Sequence, residues 1–217
     1  MQVLYEDNHL LVVNKPAGLP TMGVAEGEKS LLTVAKNYIA QKYHKPGNVY
    51  LGIVSRLDTP TTGVVVIART SKAAKRLNEQ FRSRTVQKTY WAIVEGFPPP
   101  EGTLSHRMGE EKRHRKMFIT QNRDGIPAIL HYKTFQRFEN ASLLEIHLET
   151  GRKHQIRVQM AHIGHPILGD YKYGSRKPFP LGIALHARTL TFQHPTLGTT
   201  LTLNADLPTT WKLGIND

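Results

Sequence analysis

Residues 55–81 read SRLDTPTTGVVVIARTSKAAKRLNEQF, and the pattern changes twice within them. The first part, SRLDTPTT, is turn chemistry, because Asp, Thr, Pro and Gly are residues that tight turns use. GVVVIA (63–68) is a continuous β-branched run, which reads as a strand buried on both faces. Ser71 can then cap a helix in which Ala74, Leu77 and Phe81 share one face. From Val86 the period becomes two, so VQKTYWAIVEG is a strand, and Pro98, Pro99 and Pro100 force a loop after it. Loop, buried strand, helix and alternating strand in so short a span predict a mixed α and β architecture.

Working outward, QVLYED and LLVVNKPAG are two short strands split by the turn EDNH. Apolar residues at 31, 35, 39 and 43 predict a helix over Leu31–Tyr43, stopped by Pro46 and Gly47. Residues 49–54 read as a strand. The stretch 105–117, SHRMGEEKRHRKM, is dense in cations and shows no apolar stripe, which predicts an exposed loop or hairpin. Strands are expected at 128–137 and 143–149. A helix follows over HQIRVQMAHIG (154–164), stopped by Gly164 and Pro166, then strands at 186–193 and 200–204 and a turn at LPTTWKL (207–213). The sum, roughly ten short strands and three helices, predicts a single α+β domain over residues 1–217 with a largely antiparallel sheet.

The 217 residues hold 29 Lys and Arg against 17 Asp and Glu, a formal charge of +12, and no cysteine. The excess implies a polyanionic partner. Without cysteine there is no disulfide framework, thiolate zinc site or cysteine nucleophile. No run of 18 apolar residues occurs, and MQVLYEDNHL lacks the layout of a signal peptide, so a cytoplasmic protein with no membrane partner is expected.

Three segments carry candidate chemistry. Asp58 falls in a loop between two strands, where catalytic groups are often presented, and if the preceding residues are extended Arg56 points to the same face. The same residues make an ordinary turn equally well. Arg152, Lys153, His154 and Arg157 crowd the start of the third helix, against its dipole, so a phosphate or a carboxylate such as Asp58 should compensate them. A solvated basic face is the alternative. Lys88 and Tyr90 alternate onto one strand face, leaving Tyr90 to stack on a ring, to hydrogen-bond a base, or to fill the core. His154, His162 and His165 cluster without a metal-ligand spacing, and no phosphate loop, dinucleotide fingerprint or nucleophile elbow is present. No metal and no cofactor are expected.

Taken together, the segments resemble the RluA family of RNA pseudouridine synthases. The family's H-R-L-D-x-x-T-S-G motif appears as SRLDTPTTG (55–63), and T-G-R-x-H-Q-I-R as TGRKHQIR (150–157), followed by GHPILGD. Lys88-Thr89-Tyr90 matches the K-x-Y strand, and LYEDNHLLVVNKPAGLPT and ALHARTLTFQHP are also similar. Ser55 and Thr62 depart from the usual His and Ser. The resemblance implies the catalytic fold without an S4 module. It also implies isomerisation of uridine to pseudouridine in structured tRNA or rRNA; apart from the resemblance, a monomer with no nucleotide cofactor is expected. Asp58 would be the essential carboxylate, Tyr90 would lie against the uracil, and Arg157 would keep the carboxylate ionised. Arg56 would fill the space left by the flipped base, Ile156 would pack beneath the ring, and Lys88, Arg152 and His154 would contact substrate. Lys112, Arg113, Arg115 and Lys116 would grip the RNA backbone.

Two rival classes make different predictions. A non-catalytic RNA-binding or ribosome-assembly module binds without isomerising, and a nuclease cuts the strand. The set Asp58, Tyr90 and Arg157 disfavours both.

Overall fold

The computed structural model describes residues 1–211. Among them, in chain order, are β1 (Gln2–Glu6), β2 (Leu10–Lys15), α1 (Leu31–Lys42), β3 (Gly52–Ile53), β4 (Thr62–Ala68), α2 (Ser71–Arg82), β5 (Gln87–Glu95), β6 (Glu101–Glu111), β7 (Lys116–Thr120), β8 (Ile126–Arg137), β9 (Ala141–Leu148), α3 (Gln155–His162), β10 (Leu185–Gln193) and β11 (Thr200–Asn204). The class is α+β, as the sequence predicts, with one strand more than expected. The terminal segment makes a short 3-10 turn at Thr209–Trp211, and positions 212 and 213 of the expected turn lie outside the described residues. None of the described helices is long and apolar enough to cross a membrane. The chain forms two compact units, residues 1–87 with the segment from Ala187 onward, and Lys88–His186.

In the first unit the strand order is β1-β2-β4-β10, with β3 also on β4 and β11 on β10. The central strands β2 and β4 pair antiparallel, Leu11 opposite Ile67 and Val13 opposite Val65. Those four residues pack with Leu31, Ala35 and Ile39 of α1. The alternate residues Leu10, Val12, Val64 and Val66 pack with Ala73, Ala74 and Leu77 of α2. Helices therefore cover both faces of these strands, which is why their sequences are continuous apolar runs rather than alternating ones. Each fully buried Val, Leu or Ile here contributes about 1.5–3 kcal/mol relative to exposure.

Two expectations need correction, and a third holds. The α2 cap is Thr70, whose hydroxyl accepts the Ala73 N–H, and Ser71 is already the first helical residue. The helix α1 runs Leu31–Lys42 with Tyr43 as its cap, in agreement with the helix expected over 31–43. The strand expected over 49–54 shrinks to Gly52–Ile53, which pair with Ala68 and Ile67 at the end of β4. β4 also neighbours β10, and its start passes so close to Ala187 that a Cβ on Gly63 would sit 2.3 Å from that residue's carbonyl oxygen. With φ +115 at the same position, only glycine fits.

Glu6, at the end of β1, joins three elements. Its carboxylate accepts hydrogen bonds from Tyr38 Oη at 2.8 Å, Lys42 Nζ at 2.8 Å, Tyr43 Oη at 2.6 Å and Arg69 Nη1 at 3.1 Å. Burial pushes this carboxyl up, but the hydrogen bonds from Lys42, Tyr43 and Tyr38 outweigh it and bring the pKa down to about 2. A carboxyl lowered by folding stabilises fully above its unfolded value and loses that contribution as pH falls through its folded one. Acid unfolding is therefore expected to remove on the order of 2–3 kcal/mol through this group between about pH 4.5 and 2. Urea titrations at pH 7 and pH 3 check this: Glu6→Gln should be the less stable protein at pH 7 and close most of the gap at pH 3.

In the second unit the order is β5-β9-β8-β6-β7, each neighbouring pair antiparallel. The basic stretch 105–117 is the hairpin of β6 and β7, so the hairpin alternative is the correct one. It does carry an apolar side. Met108 and Met117 are buried with Ala128, Val158 of α3 and Tyr173. The stripe is invisible in sequence because its two members lie on different strands, split by the cationic turn.

Candidate active site

Asp58 lies half-buried in a stretch outside regular structure. Residues 54–58 belong to no regular strand, and Arg56 is exposed. Thr61 N–H donates to the Asp58 carbonyl at 3.0 Å. The turn reading and the presenting-loop reading thus describe one segment. What the sequence does not single out is how firmly that segment is held. Thr21 Oγ1 donates to the Leu57 carbonyl at 2.8 Å and accepts the Leu57 N–H at 3.2 Å. The Thr59 carbonyl accepts Gly18 N–H at 2.9 Å and Lys15 Nζ at 3.1 Å.

Lys15, the last residue of β2, is fully buried. Its ammonium donates to three carbonyls, of Pro16 at 2.9 Å, Leu19 at 2.8 Å and Thr59. Burial pushes its pKa down to about 8, against the opposing pull of the Asp58 carboxylate. Three acceptors match the three donors of an ammonium, so the charged form is the one that satisfies this pocket. A lysine ending an apolar strand and followed by proline is the available sequence signal.

The second unit holds the other expected residues. Lys88 and Tyr90 lie on β5, Tyr90 opposite Ile146 of β9. Lys88 reaches the TGR segment, since a Cβ on Gly151 would lie 3.4 Å from its Nζ. His154 caps α3 in the left-handed region, φ 54, at a cost of about 1 kcal/mol for a non-glycine residue. Thr150 and Gln155 shape that turn. The Gln155 Oε1 accepts Thr150 Oγ1 at 2.8 Å and Arg152 N–H at 3.0 Å. Ile156 is buried.

Two of the four cations at this helix start find carboxylates, while Arg152 Nε donates to the Pro127 carbonyl at 3.1 Å and His154 Nδ1 lies against the Tyr173 hydroxyl. Lys153 pairs with Glu110 at 2.6 Å. Arg157 is buried and forked onto Asp170, Nε to Oδ2 at 2.7 Å and Nη2 to Oδ1 at 2.8 Å. Asp170, itself 1% exposed, escapes the sequence reading, although GHPILGD contains it. Tyr173 escapes it too. Its ring centre lies 5.1 Å from the Arg157 guanidinium carbon.

In the hairpin, Lys112, Arg113 and Arg115 are exposed, whereas Lys116 is half-buried with its Nζ 5.6 Å from the Tyr173 ring centre. The three clustered histidines go separate ways: His154 to Tyr173, His162 against the His106 ring at 5.0 Å, and His165 to the Glu95 carbonyl. Among the described residues, no group of three or more His, Asp or Glu is placed to hold a metal ion.

Residues 9–162 match the family described as RNA pseudouridylate synthase. The ribosomal large subunit pseudouridine synthase D of Zymomonas mobilis is 37% identical over 98% of this chain and 71% of its own length. An uncharacterized RNA pseudouridine synthase of Bacillus subtilis, YlyB, is 38% identical over 96% of this chain and 69% of its own. Among solved structures, human RNA pseudouridylate synthase domain containing 4 superposes with a TM-score of 0.80 at 29% identity, covering 96% of this chain and 89% of that one.

Proposed function

The chain belongs to the RNA pseudouridylate synthase family, and from that membership we infer that it isomerises uridines of large-subunit ribosomal RNA, with Asp58 as the essential carboxylate. The reaction is atom-neutral: the N1–C1′ bond breaks, C5 bonds to C1′, and the C5 proton is given up as N1 gains one. Asp58 acts on the ribose, as nucleophile at C1′ or as base at C2′, and both routes need it ionised. Tyr90 lies against the uracil and takes, or helps to take, the C5 proton. Arg157 supplies the guanidinium of the site, Ile156 packs beneath the ring, and Lys88, Arg152 and His154 contact the nucleotide.

The observation that carries this reading is the clamping of the SRLDTPTTG loop by Lys15 and Thr21, which presents a carboxylate on a fixed backbone. A uridine inside folded RNA must leave its stack to reach such a group, at a few kcal/mol. Arg56, exposed beside the loop, takes the vacated space. The choice of ribosomal over transfer RNA rests on the names of the relatives. The protein acts as a monomer, which light scattering checks. Pseudouridine mapping of cellular rRNA and tRNA, with and without the protein, tests the function. A site lost from large-subunit rRNA supports it, and a loss confined to tRNA overturns the ribosomal assignment.

The exposed cations of the hairpin turn hold the RNA backbone without reading sequence. Replacing Lys112 and Arg113 together with alanine is expected to weaken RNA binding and flatten its salt dependence. Each cation–phosphate pair removed lowers the slope of log K against log salt by about 0.7–0.9. Filter binding at several salt concentrations measures this, and an unchanged slope places the turn away from the RNA.

A further inference from the structure

The arginine of the proposed site is held by a carboxylate that the sequence does not single out, Asp170. Asp170 receives two hydrogen bonds from Arg157, in the fork that fixes the plane as well as the position of a guanidinium. Both partners are almost completely buried, Arg157 at 5% and Asp170 at 1% exposure. A buried ion pair is a poor stabilising device, since a well-packed apolar pair serves stability as well or better. What the fork supplies over an apolar pair is orientation.

Tyr173, three residues on, adds a second constraint. Its ring faces the same guanidinium at 5.1 Å. Its hydroxyl accepts the Met117 N–H of β7 at 3.0 Å and lies 2.7 Å from His154 Nδ1. The turn that carries both residues is closed on itself, with Tyr173 N–H and Ser175 N–H donating to the Asp170 carbonyl at 3.0 and 3.1 Å. It is also fastened to the basic hairpin, where Lys172 Nζ donates to the carbonyls of His114 at 3.2 Å and Arg115 at 3.1 Å. One turn therefore bonds the guanidinium edge, sets an aromatic ring 5.1 Å from the guanidinium carbon and ties to the backbone of the hairpin.

We propose that Asp170 and Tyr173 are positioning residues for the isomerisation, acting through Arg157, and that Tyr173 ties the orientation of that arginine to the hairpin. The proposal rests on the role given to Arg157 above. Asp170 fixes the guanidinium in its plane. Tyr173 prevents it from tilting out of that plane, and its hydroxyl keeps the ring in register with β7.

The test uses the full-length protein with an in vitro transcript of large-subunit rRNA. Three quantities are read for Asp170→Asn and Tyr173→Phe: the single-turnover rate of pseudouridine formation, the RNA Kd, and the ¹⁵N signals of the Arg157 guanidinium, assigned by their disappearance in Arg157→Lys. For Asp170→Asn the rate should fall about 10²-fold, as expected for a misplaced catalytic-site group. Its RNA Kd should stay within about threefold, or 0.7 kcal/mol, and the Nη signals should merge as the guanidinium becomes free to rotate. Tyr173→Phe keeps the ring and removes only the hydroxyl, so the same changes should appear at about tenfold in rate.

A rate within threefold of wild type despite merged signals overturns the proposal, because orientation is then lost without consequence. A large drop in rate with unchanged Arg157 signals also overturns it, because the residue then acts by another route. If Asp170→Asn does not fold, Tyr173→Phe decides by the same two readouts. Failure of the underlying reading looks different. Wild-type protein that makes no pseudouridine in any cellular RNA removes the proposed function and this proposal with it. Wild-type activity with unimpaired Arg157→Lys removes only the role of Arg157 and its positioning residues.

Discussion

Asp58→Asn is expected to make no detectable pseudouridine while binding RNA within about tenfold of wild type, or 1.4 kcal/mol. Asparagine has nearly the size and the hydrogen-bonding reach of aspartate but can neither attack C1′ nor take a proton from C2′. The expected drop in single-turnover rate is at least about 10³-fold, the range of a missing nucleophile or general base. The loop should survive the change. The bonds that clamp it run from Gly18, Thr61 and the side chains of Lys15 and Thr21 to the backbone of Leu57, Asp58 and Thr59, and asparagine leaves all of them in place. Removing a negative charge also removes repulsion from the RNA, which favours binding. A tritium-release assay paired with filter binding at fixed salt measures both quantities. Isomerisation by Asp58→Asn at the wild-type rate takes Asp58 out of the mechanism. Loss of RNA binding together with activity points instead to a collapsed loop, which a melting curve identifies.

Arg157→Lys is expected to be the second most damaging change, with turnover down about 10²-fold and the melting temperature lowered as well. Lysine keeps the charge but offers a single ammonium where Asp170 takes two parallel N–H bonds. At 1% exposure Asp170 cannot turn to water for the missing bond. A buried carboxylate left half-satisfied costs on the order of 1–3 kcal/mol. Single-turnover kinetics and thermal melting separate the two effects. Near-normal turnover in a destabilised protein shows that charge alone is enough for the reaction.

The parts of this fold that are legible in sequence are those whose signal is local. LLVV in β2 and GVVVIA in β4 announce strands covered on both sides, and the TGRKHQIR and SRLDTPTTG motifs are contiguous, so their residues can be named directly. The misreadings share a cause. Thr70 and Ser71 are both good caps, and only the Ala73 hydrogen bond chooses between them. The strand expected over 49–54 is shortened by competition for the edge of β4, which no window of residues contains. Met108 and Met117 form one apolar side only when the hairpin brings their strands together. The same holds at the site. Lys15 holds a carbonyl 44 residues away, Thr21 one 36 residues away, and Arg157 finds its carboxylate 13 residues on, past the end of its own helix. Motifs disclose which groups react, whereas the groups that hold them still become visible only when the chain is folded.

The environment of Lys15 has the form of a coordination sphere. Three carbonyl oxygens converge on one positive centre in a space closed to solvent, an arrangement in which many proteins hold a dissociable monovalent ion. Here the ion is covalently part of the chain. It is always stoichiometric, cannot be dialysed away, and does not exchange sodium for potassium. The geometry of the Asp58 loop is consequently indifferent to the ionic composition of the medium. RNA is not indifferent, because its folding and its counterion atmosphere both follow the salts around it. A dependence of activity on monovalent ions would therefore report on the nucleic acid and its docking rather than on the order of the reactive loop.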